Sequence, residues 1–303
     1  MKPRLPSCPA MPPPTRLLAS LLVASLTFGC ASRPPEEPPP RALADADRLA
    51  SQAAQLQAAQ NWPGAAAWWQ RAALQFQWLH QPIPLAVAWH NEAVCRRELG
   101  QWEDARSLLE NAASLNQRTG QTNAWWRNQL ALVQLESTLP DASPIPRLNR
   151  LLPRRSEPDP PAQAILAHEA ARSLLDQQEA HAALRELSEA ESLFARLNDA
   201  QGLAAVRLTQ ARALLQQGDP VASEAAWRDA LRRYQALGNL PGIALAMAGL
   251  GTTLADTENR LDEAEWLLSQ AVENLRNLGI EPSLQAAENR LRQLQSTQSR
   301  PGR

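Results

Sequence analysis

Gly100-Gln101-Trp102-Glu103-Asp104-Ala105-Arg106-Ser107-Leu108-Leu109-Glu110-Asn111-Ala112 reads as a turn glycine and then a helix with a small–large–small stripe. Ala105, Leu109 and Ala112 stand at i, i+4 and i+7, which is one face of an α-helix. The stripe recurs as Ala65, Trp69 and Ala72; Ala183, Leu187 and Ala190; Ser223, Trp227 and Ala230; and Ala264, Leu268 and Ala271. Its closing alanines fall at 72, 112, 190, 230 and 271, a period near 40 with one doubled gap. A hidden copy is due near residue 151, and Pro144, Leu148 and Leu151 hold its three positions. Each phrase follows another helical pattern, such as Trp89 with Ala93, Ala167 with Ala171 and Leu174, or Arg207 with Ala211 and Leu214. Small residues on both helices let a pair approach closely, while the large residues fill the seam to the next pair. Glycine at Gly64, Gly100 and Gly218 is expected in the turns, since it takes left-handed dihedrals without strain.

Composition agrees. Ala and Leu make up roughly a third of the 303 residues, and Val plus Ile only about one in 25. That balance favours helix and excludes an all-β fold. The prolines are clumped, with eleven in the first 40 residues and seven between Pro140 and Pro161, so the stretches between are nearly free of helix breakers. The expected fold is an all-α superhelical solenoid of about six helix pairs. Pro282 to Gln295 adds a capping helix with Leu284, Ala287, Leu291 and Leu294 on one face.

This pattern resembles the tetratricopeptide repeat, in a longer variant with a period near 40, over about residues 42–280. The strongest match is Gly100 to Ala105 with Ala112. Residues 42–139 hold units one and two and the first helix of unit three. Residues 140–161 are a proline-broken unit, read either as a hinge or as a rigid surface loop. Residues 162–280 hold units four to six, 281–297 the cap and 298–303 a tail. The resemblance implies a groove lined by the first helix of each pair. Carried over residue by residue, its groove positions are His90, Val94, Arg97 and Glu98; Trp126, Gln129, Val133 and Glu136; His168, Arg172 and Asp176; and Leu208, Arg212 and Gln216. Arg172 and Arg212 are equivalent in successive units, and paired guanidiniums could grip a carboxylate bidentately or simply form local ion pairs. The implied partner is a protein or peptide.

The first forty residues read as an address. Lys2, Arg4 and Arg16 precede an apolar run from Leu17 to Phe28, too short for the ~20 residues of a spanning helix. Leu26-Thr27-Phe28-Gly29-Cys30 resembles the lipobox of bacterial lipoproteins. The resemblance implies cleavage after residue 29, a diacylglyceryl and an amide-linked acyl chain on Cys30, and, with Ala31 next, an outer-membrane anchor facing the periplasm. Ser32 to Arg41 reads as a polyproline-II tether reaching about 30 Å.

Several chemistries are disfavoured. The net charge of −1 gives no footprint for nucleic acid. Lys2 is the only lysine and lies in the leader, so a mature chain could form neither a P-loop nor a Schiff base. The four histidines show no metal spacing, and no cofactor beyond the lipid is expected. Cys95 reads as a buried small hydrophobe. Gly249-Leu250-Gly251-Thr252-Thr253 lacks the lysine of a phosphate loop and sits in an expected helix. Of ten tryptophans, Trp62, Trp69, Trp89, Trp102 and Trp227 fall where the repeat wants large core residues. Trp68, Trp78, Trp125, Trp126 and Trp266 are off that pattern. They are candidates for packing, for a protein interface or for stacking on a glycan. The chain therefore reads as a non-enzymatic envelope scaffold, with glycan contact as the alternative.

Overall fold

The computed structural model describes residues 41–139 and 141–298. The leader, Cys30 and almost all of the tether lie outside the described residues. Among the described residues thirteen α-helices follow one another: α1 Arg41–Ala58, α2 Trp62–Trp78, α3 Pro82–Glu98, α4 Trp102–Arg118, α5 Thr122–Glu136, α6 Ile145–Leu151, α7 Pro160–Asp176, α8 Ala180–Arg196, α9 Ala200–Gln217, α10 Pro220–Leu237, α11 Leu240–Leu254, α12 Leu261–Leu278 and α13 Glu281–Gln298. Among the described residues there is no strand, and no helix is long and apolar enough to cross a membrane. Each helix packs on its neighbours in sequence, α1 on α2, α2 on α3 and so on, as a solenoid requires, except at the short α6, where α5 packs on α7 directly.

The repeated stripe is the core. Ala65, Ala72, Ala105, Ala112, Ala183, Ala190, Ser223, Ala230, Ala264 and Ala271 are each wholly buried. The large residue between each pair is at most 5% exposed, whether Trp69, Leu109, Leu187, Trp227 or Leu268. Helix starts are sealed by side chains. Asn61 accepts from the Gly64 amide, Asp199 from Gly202, Asp219 from Ala222 and Asn239 from Gly242. Gly64 thus lies inside the first turn of α2, and the left-handed turn residue before that helix is Gln60 (φ 56°). Trp102 also departs from expectation. As the first residue of α4 it is 38% exposed rather than a core residue.

The third unit differs from the others in length. Its second helix, α6, has 7 residues where α8 has 17 and α10 has 18. Leu148 and Leu151 still reach the core, packing with Trp126, Leu130, Val133 and Leu166. Trp126 itself stands five residues past the N-cap Gln121. The inner helices α3, α7, α9 and α11 each have a buried alanine there: Ala86, Ala164, Ala204 and Ala244. The indole packs against Leu148 and Leu151 of the short second helix. Arg154, in the 3-10 turn after α6, stacks over Trp125 and Trp126 at 5.1 and 5.7 Å.

Candidate functional site

The inner helices α3, α5, α7, α9 and α11 begin after N-caps at 81, 121, 159, 199 and 239. Counting from these caps puts His90, Leu130, His168 and Leu208 in one slot, and Val94, Gln134, Arg172 and Arg212 in the next. The expected groove residues therefore share slots on α3, α7 and α9, whereas those named on α5 fall in other slots. Trp126 and Val133 are wholly buried and cannot meet a ligand. Gln129 and Glu136 are taken internally. Arg147 of α6 donates to Gln129 Oε1 at 2.8 Å and pairs with Glu136 at 2.8 Å, with both charged side chains about one-seventh exposed. The true occupant of the second slot, Gln134, donates to Glu169 of α7 at 3.3 Å.

The histidines serve as bridges between inner helices. His90 Nδ1 lies 2.6 Å from Oδ1 of Asn128 on α5. His168 Nε2 lies 2.9 Å from Oγ1 of Thr209 on α9. That hydroxyl already donates to the Ala205 carbonyl, so His168 Nε2 must carry the hydrogen. Burial lowers the pKa of both imidazoles. Arg97 turns to its neighbour Glu98 at 2.8 Å. Cys95 is fully buried, and desolvation pushes its thiol up to about 11, which leaves it inert.

Three of the expected residues do come together. His168, Arg172 and Arg212 line a cavity of about 820 Å³ between α7, α9, α11 and α13. Its floor is apolar, with Leu208 and Leu215 from α9, Leu245 and Ala248 from α11, and the rings of Trp227 and Tyr234 from α10. Its fourth wall brings Arg290 and Gln293 from the capping helix. No carboxylate lines it. The arginines are tied to acids outside the lining. Arg172 holds the buried Glu169 at 3.0 Å, and Arg290 reaches Asp256 at 2.5 Å. Arg212 is the loosest, half exposed and 3.7 Å from Asp176. Asp176 and Arg212 share a smaller recess with Leu175, Gln178 and Gln216.

Glycines shape this floor. A Cβ on Gly249 would sit 2.3 Å from the Trp227 ring, and one on Gly242 would sit 2.3 Å from Tyr234. Gly249 and Gly251 are thus packing residues within α11. Arg290, Gln293 and Gly249 are the site residues that sequence reasoning missed. A signal for the first two existed. Leu284 follows the start of α13 as Leu85, Leu203 and Ile243 follow theirs, which marks the cap as one more inner helix.

Of the off-pattern tryptophans, Trp126 is buried, and Trp68 and Trp125 are half-buried under Arg71 and Arg154. Trp78 and Trp266 remain exposed, at 80% and 60%, on α2 and α12. They stand on helix pairs far apart in the series and form no common stacking platform.

No protein-family model matches the chain, and no curated protein matches it in sequence. Solved structures do match it in shape. The structure of a Rap protein complexed with competence and sporulation factor is 13% identical over 84% of this chain and 76% of that one, with a TM-score of 0.59. A signal-transduction ATPase with numerous domains and a tetratricopeptide-repeat sensor, from Pyrococcus horikoshii, is 12% identical over 86% of this chain, also with a TM-score of 0.59. This chain spans 40% of the length of that ATPase. At such identity the likeness shows the fold alone. The chain is a tetratricopeptide-repeat-like all-α solenoid.

Proposed function

We propose that this protein is an envelope adaptor that binds a protein or peptide along the inner face of α7, α9, α11 and α13. One observation carries the reading, the cavity of about 820 Å³ walled by four inner helices. It falls in the size class of specific ligand sites and joins an apolar floor to a few polar groups. The Rap protein of similar fold is complexed with competence and sporulation factor, which fits a partner-binding use of such a fold. Among the described residues the cavity lining offers no carboxylate to pair with His168 for acid–base work, so binding suits it better than catalysis.

The place of action follows from the leader. A lipid on Cys30 and a short tether would hold the solenoid at the periplasmic face of the outer membrane. There it would serve an assembly or export machine. Several acyl chains give firm anchorage, at about 0.8 kcal/mol per buried methylene.

Site-specific photo-crosslinkers test the reading in living cells. A crosslinker at Ser283 or Thr252, on the cavity, should trap a discrete partner, and one at Trp266 on α12 should not. Crosslinks only between copies of this chain, or equal yields from both faces, would sink the adaptor reading. Anchorage is tested separately by Cys30→Ala, which should leave an unprocessed precursor that is released from membranes.

A further inference from the structure

Successive helices run antiparallel, so the odd-numbered helices begin, and the even-numbered ones end, at one edge of the solenoid. We infer that this edge lies against a bilayer with anionic headgroups, an inference that rests on the membrane anchorage proposed above. The chain enters the described structure there, at Arg41, the first residue of α1. The stretch from Ser32 to Arg41 reaches about 30 Å. An acylated Cys30 would therefore keep this edge, and not the opposite one, close to the headgroups. Over so short a link the effective concentration is high, and a weak contact suffices.

Charge separates the two edges. Arg41, Arg118, Arg150 and Arg196 are exposed, and among the described residues none of them makes a hydrogen bond, an ion pair or a ring contact. The last three stand in the final turns of α4, α6 and α8. A helix dipole favours a cation at any C-terminus, yet α5, α7, α9 and α11 end at the other edge without one. The cations that the other edge does carry are matched, Arg96 by Glu92, Arg97 by Glu98 and Arg260 by Glu263. Glu103, Asp104 and Asp262 add acid there, in the first turns of α4 and α12. On the first edge Asp159 and Asp199 serve as N-caps and Glu157 pairs with Arg154, which leaves Glu281 at the start of α13 against the free arginines.

Apolar side chains join the cations. Leu197, Leu237 and Leu278 stand at the ends of α8, α10 and α12 in successive repeats, each more than a third exposed. Leu240 begins α11 beside them, and Trp78 ends α2 at the same edge, both largely exposed. Leucine and tryptophan among arginines suit an interfacial surface, where apolar groups enter the headgroup boundary and cations meet the phosphates. With this edge down the helices stand upright on the bilayer, and the cavity stays open sideways to a partner.

The full chain, purified from membranes, would be reconstituted with a dansyl amino acid encoded at Ala236 or at Val221, exposed residues near the two ends of α10. One set of vesicles is phosphatidylethanolamine with about a quarter phosphatidylglycerol as the anionic lipid, the other phosphatidylcholine, and both carry a headgroup spin label as quencher. In the anionic vesicles the dansyl at Ala236 should be quenched and that at Val221 spared. The difference should fade in phosphatidylcholine and at high salt. Arg118→Gln and Arg196→Gln should each shift the balance away from the bilayer about fivefold. Leu240→Ser should weaken the quenching with little change in Tm, and Arg185→Gln, toward the other end of α8, should leave it unchanged. Equal quenching at the two sites, equal quenching in the two lipids, or no effect of the arginine variants would overturn the inference. A dansyl blue shift without quenching that grows with protein density would give the edge to a second copy and overturn it. Vesicles that hold the chain yet show neither signal would leave the edge to a protein partner and overturn it too. Failure of the anchor is read separately, as unchanged fractionation of Cys30→Ala, and vesicles that retain no chain would sink both.

Discussion

On α5, Gln129 and Glu136 are both held by Arg147 of the shortened helix α6, whereas α9 presents Leu208, Arg212 and Leu215 to an open cavity. The two helices hold the same place in different repeat units, four helices apart. In the first region the inner face is closed by the protein's own polar contacts, from His90 to Asn128, Gln134 to Glu169 and Arg147 to Glu136. In the second the inner face keeps the His168–Thr209 bridge and the loose Arg212–Asp176 pair, and other ion pairs lie outside the cavity lining. Arg207 joins Glu191 and Asp229, and Arg228 joins Glu263. The inner face of that region is left with an apolar floor beneath a rim of arginines. A repeat scaffold can therefore use the same face either to hold neighbouring units together or to receive a ligand. The choice follows from which residues fill a few slots.

The sharpest way to break this contrast is Trp126→Ala. Because Trp126 packs on Leu148 and Leu151 of the short α6, its loss should cost about 3–5 kcal/mol. Hydrogen exchange should quicken in α5 and α6 before it does in α9 to α12. Ligand capture by the second region should persist below the melting temperature. A variant with unchanged melting and lost capture would instead make Trp126 a ligand contact and erase the distinction.

That residue also shows what could be read without a structure. The small–large–small stripe was legible because it depends on one helix pair at a time, and five of the six copies carry it. The register of α5 was legible too, since the caps of α3 and α5 stand 40 apart and the slot of His90 therefore falls on Leu130 rather than on Trp126. The short second helix changes only the next spacing, to 38 from Gln121 to Asp159. That a tryptophan in an alanine slot packs on Leu148 and Leu151 is seen only in the structure. Arg172 and Arg212 could be placed from their spacing, but Arg290 reaches the same cavity from a helix that reads as a mere cap. Gly249 is invisible as a site residue because its role is the absence of a side chain against Trp227.

A second test is Arg147→Leu. Glu136 would be left about one-seventh exposed without its cation, and the cost should be roughly 2–3 kcal/mol, somewhat under the value for a fully buried pair. Replacing Glu136 by leucine as well should recover most of it. Neither change should alter partner crosslinking from Ser283. Coupling of the two regions would show as a shift in crosslink yield in either variant.

Acidification gives a gentler effect, and it should reach both regions. Burial lowers the pKa of His90 and His168 below the ordinary 6.5. Below pH 6.5 the unfolded chain takes up protons that the folded imidazoles refuse. Stability should thus be level from about pH 8 to 7.5 and fall as pH drops through 6.5 toward the lowered folded-state values. Melting curves of His90→Gln and His168→Gln should each flatten part of that slope. If only one does, the pH response belongs to one region, and the bridges His90–Asn128 and His168–Thr209 are not alike.

The smallest expected effect probes where the contrast ends. The turns do not follow the division. Left-handed non-glycine residues occur in both regions, with Gln60 and His80 in the first and Gln178 and Asn198 in the second. His80 sits at φ 53°, where an L-residue with a Cβ is strained by ~1–2 kcal/mol. Glycine relieves that strain but gives the unfolded chain more freedom, worth about 0.4–1 kcal/mol in the other direction. His80→Gly should therefore stabilise by only about 0.5–1 kcal/mol, or a few degrees at most in Tm. Asn198→Gly should gain less, because asparagine tolerates the left-handed region. Small gains of this kind in both regions would show that the turns are interchangeable along the solenoid and that the difference between its halves resides in the inner faces. A large gain at His80 alone would extend the contrast to the turns.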